Sequence, residues 1–230
     1  MTMARTMTMT MPMTMTMTAC DAVMDTKGHH ARMCACLGDR VARHNSARNA
    51  VYRSAAAAGC CPDLERSGLL PPRPDDPAGN ANLRRPADVY IPTWEGGSPA
   101  AFDLAITSPQ RIEVVASAAR TAGAAAVQYE ETKRTFLNTA EICATQGIQF
   151  LPLVAETSGG WGPAGLKTIS KLAKRKALIS DLSASMVFSH LLENLCVAIR
   201  RANARAVLKR SQGHMAEISP ILLSAADAMT

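Results

Sequence analysis

Aromatic residues are scarce in this 230-residue chain, at 4%, and charged residues are few, at 19%. The scarcity of aromatics leaves Ala, Val, Leu and Ile to build any core, which a hydrophobic share of 47% permits. The charged share lies below the roughly 25% of ordinary soluble domains and excludes a chain kept disordered by self-repulsion. No uncharged apolar run approaches the ~18 residues needed to span a bilayer, so a membrane helix is excluded. Met1 to Thr18 holds no apolar stretch of the secretory type, and the seven cysteines are odd in number. A reducing, intracellular compartment is therefore expected rather than a disulfide scaffold.

What is present is unevenly spread. The net charge is +6, but residues 1–156 hold 15 basic and 15 acidic side chains, which cancel. Residues 157–230 hold 10 basic against 4 acidic and carry the whole excess. A basic segment of this kind suits a polyanion partner; the competing reading is a solvated helix face. Lys167, Lys171 and Lys174 share one helix face by their spacing, and Arg175 and Lys176 widen it. Arg200, Arg201, Arg205, Lys209 and Arg210 form a second basic run. Phosphates accept such charge without any sequence reading.

Residues 1–18 are a Met-Thr repeat, expected to be disordered. Residues 19–39 are rich in Cys, His and Gly. Arg40 to Ala58 has a helical pattern in which Val41, Ala47, Val51 and Ala55 alternate with Arg43, Arg48 and Arg53, and Gly59 stops it. Six prolines make residues 62–86 mostly loop, with a short strand near Leu64–Arg66. Ala87–Pro92 and Ala100–Thr107 read as strands joined by a turn, and Ile112–Gln146 as helix broken near Gly123. Gln149–Val154 is a strand whose Pro152 suits an edge or a bulge. Helices at about 164–179 and 183–211 follow. The order predicts a mixed α/β domain with a small central sheet.

The hairpin carries the chemistry. Asp88 opens one strand, and Asp103 interrupts the apolar run Ala101-Phe102-Asp103-Leu104. Burying a carboxylate there is costly unless a cation or hydrogen-bond donors satisfy it. Alternation puts Asp103, Ala105 and Thr107 on one face and Phe102, Leu104 and Ile106 on the other. The hairpin folds Asp88 towards Asp103, and two carboxylates at a sheet edge can hold Mg²⁺. The alternative is structural: Asp88 as a turn residue, and Asp103 paired with Arg85 or Arg111. Glu65 is a candidate third acid, whereas Glu130 and Glu131 are expected at the surface.

Near the start, Cys20, His30 and Cys34 have the spacing C-x9-H-x3-C. Thiolate and imidazole are the ligands zinc prefers, usually four in a tetrahedron. The fourth is open, Cys36 or His29 being the substitutes, and the alternative is an unstructured segment. The Cys60-Cys61 pair is expected to be buried or inert.

Pro86-Ala87-Asp88 followed by Asp103 resembles the PD-(D/E)xK nuclease pattern, and more narrowly the restriction-like endonuclease domain of site-specific non-LTR retrotransposon polyproteins. Lys133-Arg134-Thr135-Phe136 is similar to that family's helix-borne Lys-x-x-Tyr, and Phe150–Thr157 with Gly160-Trp161-Gly162 to the strand and loop that follow. Gly28-His29-His30-Ala31 with Cys34 resembles its Cys/His knuckle, in degenerate form, and Arg43-His44-Asn45 its Arg-His-Asn.

The resemblance covers roughly residues 20–180 and implies an αβββαβ core at 40–180 with a knuckle at 19–39; the basic helical extension at 181–230 lies beyond it and is read from its residues alone. It implies Asp88 and Asp103 as Mg²⁺ ligands and Lys133 as the residue that positions water or steadies phosphate charge. His44 would contact a phosphate or support the metal cluster. The implied partner is DNA and the implied location the nucleus; neither a membrane nor a small-molecule cofactor is expected. The departures are Ala105, where a lysine usually stands, and Phe136, which lacks the tyrosine hydroxyl although Tyr129 lies one turn before Lys133. They leave open a fold that has lost catalysis and only binds nucleic acid, or a decayed retroelement fragment.

Overall fold

The computed structural model describes residues 20, 25–34, 36–72 and 85–227, the stretch 211–227 as backbone only. The Met-Thr repeat and the middle of the proline-rich segment lie outside the described residues. A short α1 (His29–Met33) leads into α2 (Asp39–Ala57). Strands β1 (Asp63–Leu64), β2 (Val89–Ile91) and β3 (Ala100–Thr107) follow. Then come α3 (Val115–Ala118), α4 (Ala124–Thr135), α5 (Thr139–Thr145) and β4 (Gln149–Glu156). The chain closes with α6 (Pro163–Ser180) and α7 (Ala184–Asp227). This is the expected α/β class: a small mixed sheet with helices at the C-terminal end.

The sheet runs β1-β2-β3-β4 in chain order. β2 pairs antiparallel with β1 on one side and β3 on the other, and β4 lies parallel to β3. A parallel pair needs a crossover, and α3, α4 and α5 supply it. Pro152 opposes Asp103 on β4, which ends the strand order. An edge strand tolerates the missing N–H that a central strand would not.

Strand alternation divides the core. Phe102 and Leu104 of β3 and Leu153 and Ala155 of β4 pack with α2, α6 and α7. On the opposite face Ala101 joins Cys143 of α5, and Ala105 and Val154 join Ala126 of α4. Each fully buried Leu, Ile or Phe contributes about 1.5–3 kcal/mol by leaving water. The near absence of aromatics is met by close helix approach. Gly165 in the first turn of α6 lies so near β4 that a Cβ there would sit 3.7 Å from the Val154 nitrogen.

The segment 181–230, expected as an extension, sends Val187, Leu191, Leu195 and Ile199 of α7 into the main core. The weak strand lies at Asp63–Leu64, so Glu65 falls just beyond it, at φ 47°. In α2 the expected pattern is partly inverted: Val41 is 62% exposed, while Arg43 is 3% exposed. Arg43 stands one turn before Ala47 on the stripe that continues through Val51 and Ala55.

Candidate active site

The hairpin, α2 and α4 build one cleft of about 760 Å³, into which His44, Asp88, Asp103, Tyr129 and Lys133 project. Asp103 is on the α4 face of β3, as alternation requires, and α4 passes across that face. Lys133 Nζ therefore reaches Asp103 Oδ2 at 2.9 Å and Oδ1 at 3.0 Å. Asp88 immediately precedes β2 and is fixed from two sides. Its Oδ2 accepts the Leu104 backbone N–H at 2.7 Å, and its Oδ1 lies 3.0 Å from His44 Nε2. Both carboxylates are mostly shielded, with side chains 18% and 19% exposed.

Burial pushes the Asp103 carboxyl above its ordinary range; the Lys133 ammonium pulls it down, and the negative charge of Asp88 adds to the rise. Burial thus disfavours the ionised form of Asp103 even with its lysine in place. Two carboxylate oxygens beside an open cleft suit a hard cation that keeps several waters. Asp88 and Asp103 would hold such an ion.

Several expectations change here. Asp103 pairs with neither Arg85 nor Arg111. Arg85 meets Glu65 at 2.9 Å, and Arg111 meets Glu113 at 3.3 Å. Glu65, the candidate third acid, is held by Arg85 and Arg48 and does not line the cleft. Phe136 is 62% exposed and also lies outside it, whereas Tyr129 lines it, with the Arg111 guanidinium 5.9 Å from its ring centre.

Glu130 is not a surface residue. It is 1% exposed and accepts the Ala164 and Gly165 backbone N–H groups at 3.1 and 3.2 Å. It supplies the acceptor that the start of α6 lacks, since Gly162 offers no side-chain cap. Glu156, buried at the end of β4, does the same for α4 through the Ala126 N–H at 3.4 Å. Glu131 is exposed as expected.

The α6 cations are elsewhere. Lys171 pairs with Glu95, and Arg175 stands 5.8 Å from the Trp94 ring centre, both beside the β2–β3 turn. Lys167 and Lys174 are exposed, and none of the four lines the cleft. The cleft instead carries Arg32, Arg40, Arg43 and Arg111. Sequence reasoning did not single these out as site residues, because their charge cancels within residues 1–156. The signals for Arg43 were its place on the apolar stripe of α2 and its place in Arg43-His44-Asn45. Burial draws the Arg43 guanidinium below its ordinary range, and nearby Asp39 works against that.

Cys20, His30 and Cys34 do converge: their ligand atoms all lie within 4.8 Å of one another, a group able to hold a metal ion. Cys20 Sγ is 3.1 Å from His30 Nε2. Asp25 orients α1 by accepting the Lys27, His29 and His30 N–H groups, and the His30 contact, the strongest, helps hold its carboxyl down at about 2. Burial alone would push the Cys34 thiol up, but the Cys36 N–H, the Arg210 guanidinium and Cys20 outweigh it and bring it down to about 6. Arg210 also donates to Asp39 and, at 3.3 Å, to the Cys36 carbonyl, tying this segment to α7. Of the Cys60-Cys61 pair, Cys60 is buried and Cys61 exposed.

No helix among the described residues is long and apolar enough to cross a membrane. No family model matches the chain, and no curated protein matches it.

Proposed function

We propose that the chain is a Mg²⁺-dependent endonuclease domain of the restriction-like, PD-(D/E)xK kind, hydrolysing phosphodiester bonds of DNA. The observation that carries the reading is that Asp88, just before β2, Asp103 of β3 and Lys133 of α4 line one cleft. The bound ion would polarise the phosphoryl group and lower the pKa of a coordinated water. Asp88 and Asp103 would hold the ion, and the Leu104 N–H keeps one Asp88 oxygen in a fixed direction. Lys133 moves its charge from Asp103 to the phosphate as negative charge develops there. His44 fixes the other Asp88 oxygen and lines the cleft, where it would contact a bound phosphate.

With DNA as its substrate, the reading takes the nucleus as the location, as the resemblance implies. Zinc is the ion that suits Cys20, His30 and Cys34, because two thiolates and an imidazole are its preferred donors. The domain is read as retrotransposon-derived on the resemblance of its motifs. Plasmid nicking with Mg²⁺, comparing wild type with Asp103→Ala, tests the reading: loss of nicking in the variant is expected, and equal nicking by both overturns it.

A second reading is favoured by Ala105, which lines the cleft without a cation. There the fold has lost catalysis and holds nucleic acid alone. Wild type then binds DNA and does not nick it.

A further inference from the structure

Arg43 is a cation built into the fold with part of its hydrogen-bonding capacity unused. The residue is 3% exposed and lines the cleft that holds Asp88 and Asp103. Its Nη1 donates to the Arg32 carbonyl. Its Nε and Nη2 are buried and have no hydrogen-bond partner among the described residues. The neighbouring carboxylate, Asp39, is already engaged by Arg210. Guanidinium stays charged on burial, so a half-satisfied one is costly unless an anion completes it.

Nε and Nη2 lie along one edge of the guanidinium. That pair can take two oxygens of one anion side by side. The surroundings select the anion. Arg40 and Arg111 line the same cleft, and Arg32, also there, has its own Nε buried without a partner. With Lys133, these cations outnumber the two acids, which favours a chain of phosphates over a single carboxylate.

We propose that Arg43 is the phosphate-binding residue of the cleft, its Nε and Nη2 taking two non-bridging oxygens of a nucleic-acid backbone phosphate once the cleft side chains that cover them in the free protein swing aside. The assignment rests on reading the cleft as a nucleic-acid site. It moves the principal backbone contact from the α6 lysines to the α2 side of the sheet.

The test is binding of the full chain to a short DNA duplex in EDTA, so that no cleavage intervenes, over a series of salt concentrations. Arg43→Gln is expected to lose about tenfold in affinity, the scale of one charge-assisted hydrogen bond. The salt slope of log affinity should also shrink by about one, which a purely structural residue would not change. Arg43→Lys restores only part, because an ammonium has no fork. In wild type, the Arg43 Nε–H nuclear magnetic resonance signal should move on adding duplex, and less on adding inorganic phosphate.

Unchanged affinity and slope in Arg43→Gln, or a still Nε–H signal, overturns the proposal. Should Arg43→Gln fail to fold, the wild-type signal decides alone. Nicking by wild type together with unchanged Arg43→Gln binding removes this assignment and leaves the nuclease reading standing. Weakened binding without any Mg²⁺-dependent nicking does the reverse.

Discussion

Lys133 and Asp103 are thirty residues apart in the chain and 2.9 Å apart in the fold, joined across the gap between α4 and β3. Neither is fully buried, and both border the same cleft. The pair therefore has a side open to the cleft, and breaking it takes a charge from the site and a partner from the fold together. Lys133→Met should reduce plasmid nicking about a hundredfold, the scale of removing one transition-state donor. Its melting temperature at neutral pH should fall as well, because the side chain is only 25% exposed and its loss leaves the shielded Asp103 carboxylate without its cation. Nicking at the wild-type rate in this variant contradicts the role given to Lys133.

Asp103 costs stability for what it does. Its folded carboxyl titrates above the ordinary value, 3.8, because of burial. The folded state then binds more protons than the unfolded state in the window just above that value. Its contribution to stability falls as pH rises through the window. Asp103→Asn should thus melt at a higher temperature than wild type at neutral pH, with the difference shrinking in acid. Calorimetry at pH 3.5 and pH 7 measures both ends.

Gly162 is held small by Glu130. A Cβ at Gly162 would overlap the Glu130 carboxylate that caps α6. Gly162→Ala should cost about 1–3 kcal/mol through overpacking of that site. Glu130→Ala should cost about 1–2 kcal/mol by leaving the first α6 N–H groups unmet. The two changes share one space, so the double variant should be less unstable than their sum by urea denaturation; strict additivity would show that the groups do not meet.

Zinc content is directly measurable. The purified full chain should carry about one zinc per molecule, and Cys34→Ser or His30→Ala should lose it. A thiol brought down to about 6 is largely thiolate at neutral pH, the form a metal needs. Chelation should lower the melting temperature of wild type and leave Cys34→Ser unmoved. A chain with zinc bound equally in both proteins assigns the metal to other residues.

The parts of this molecule that announce themselves in sequence are those where a residue contradicts its neighbours. Asp103 stands out because it breaks an apolar strand, and Pro152 because it cannot sit in a central one. Glu130 gives no such sign: its partners are backbone groups of Ala164 and Gly165, 34 and 35 residues away, and no side-chain pattern marks an unmet N–H. The α6 lysines mislead for a related reason. Charge summed along the chain says nothing of partners across the fold, and Lys171 spends its charge on Glu95. Arg43 was half legible, a basic residue in register with the buried alanines of its helix.

The long helix α7 has a bearing on how the molecule is made. It spans 44 residues, about 66 Å at helical rise, and places Leu195 and Ile199 in the core while Arg210 reaches Asp39 and the Cys36 carbonyl. Val207 lies against Gly28 at the head of α1. The α1 segment therefore finds its seat only after residue 210 has left the ribosome. Through most of synthesis, at ~5–20 residues per second, the Cys/His segment waits without the surface that completes it. A nascent chain stopped before α7 would present those thiols bare.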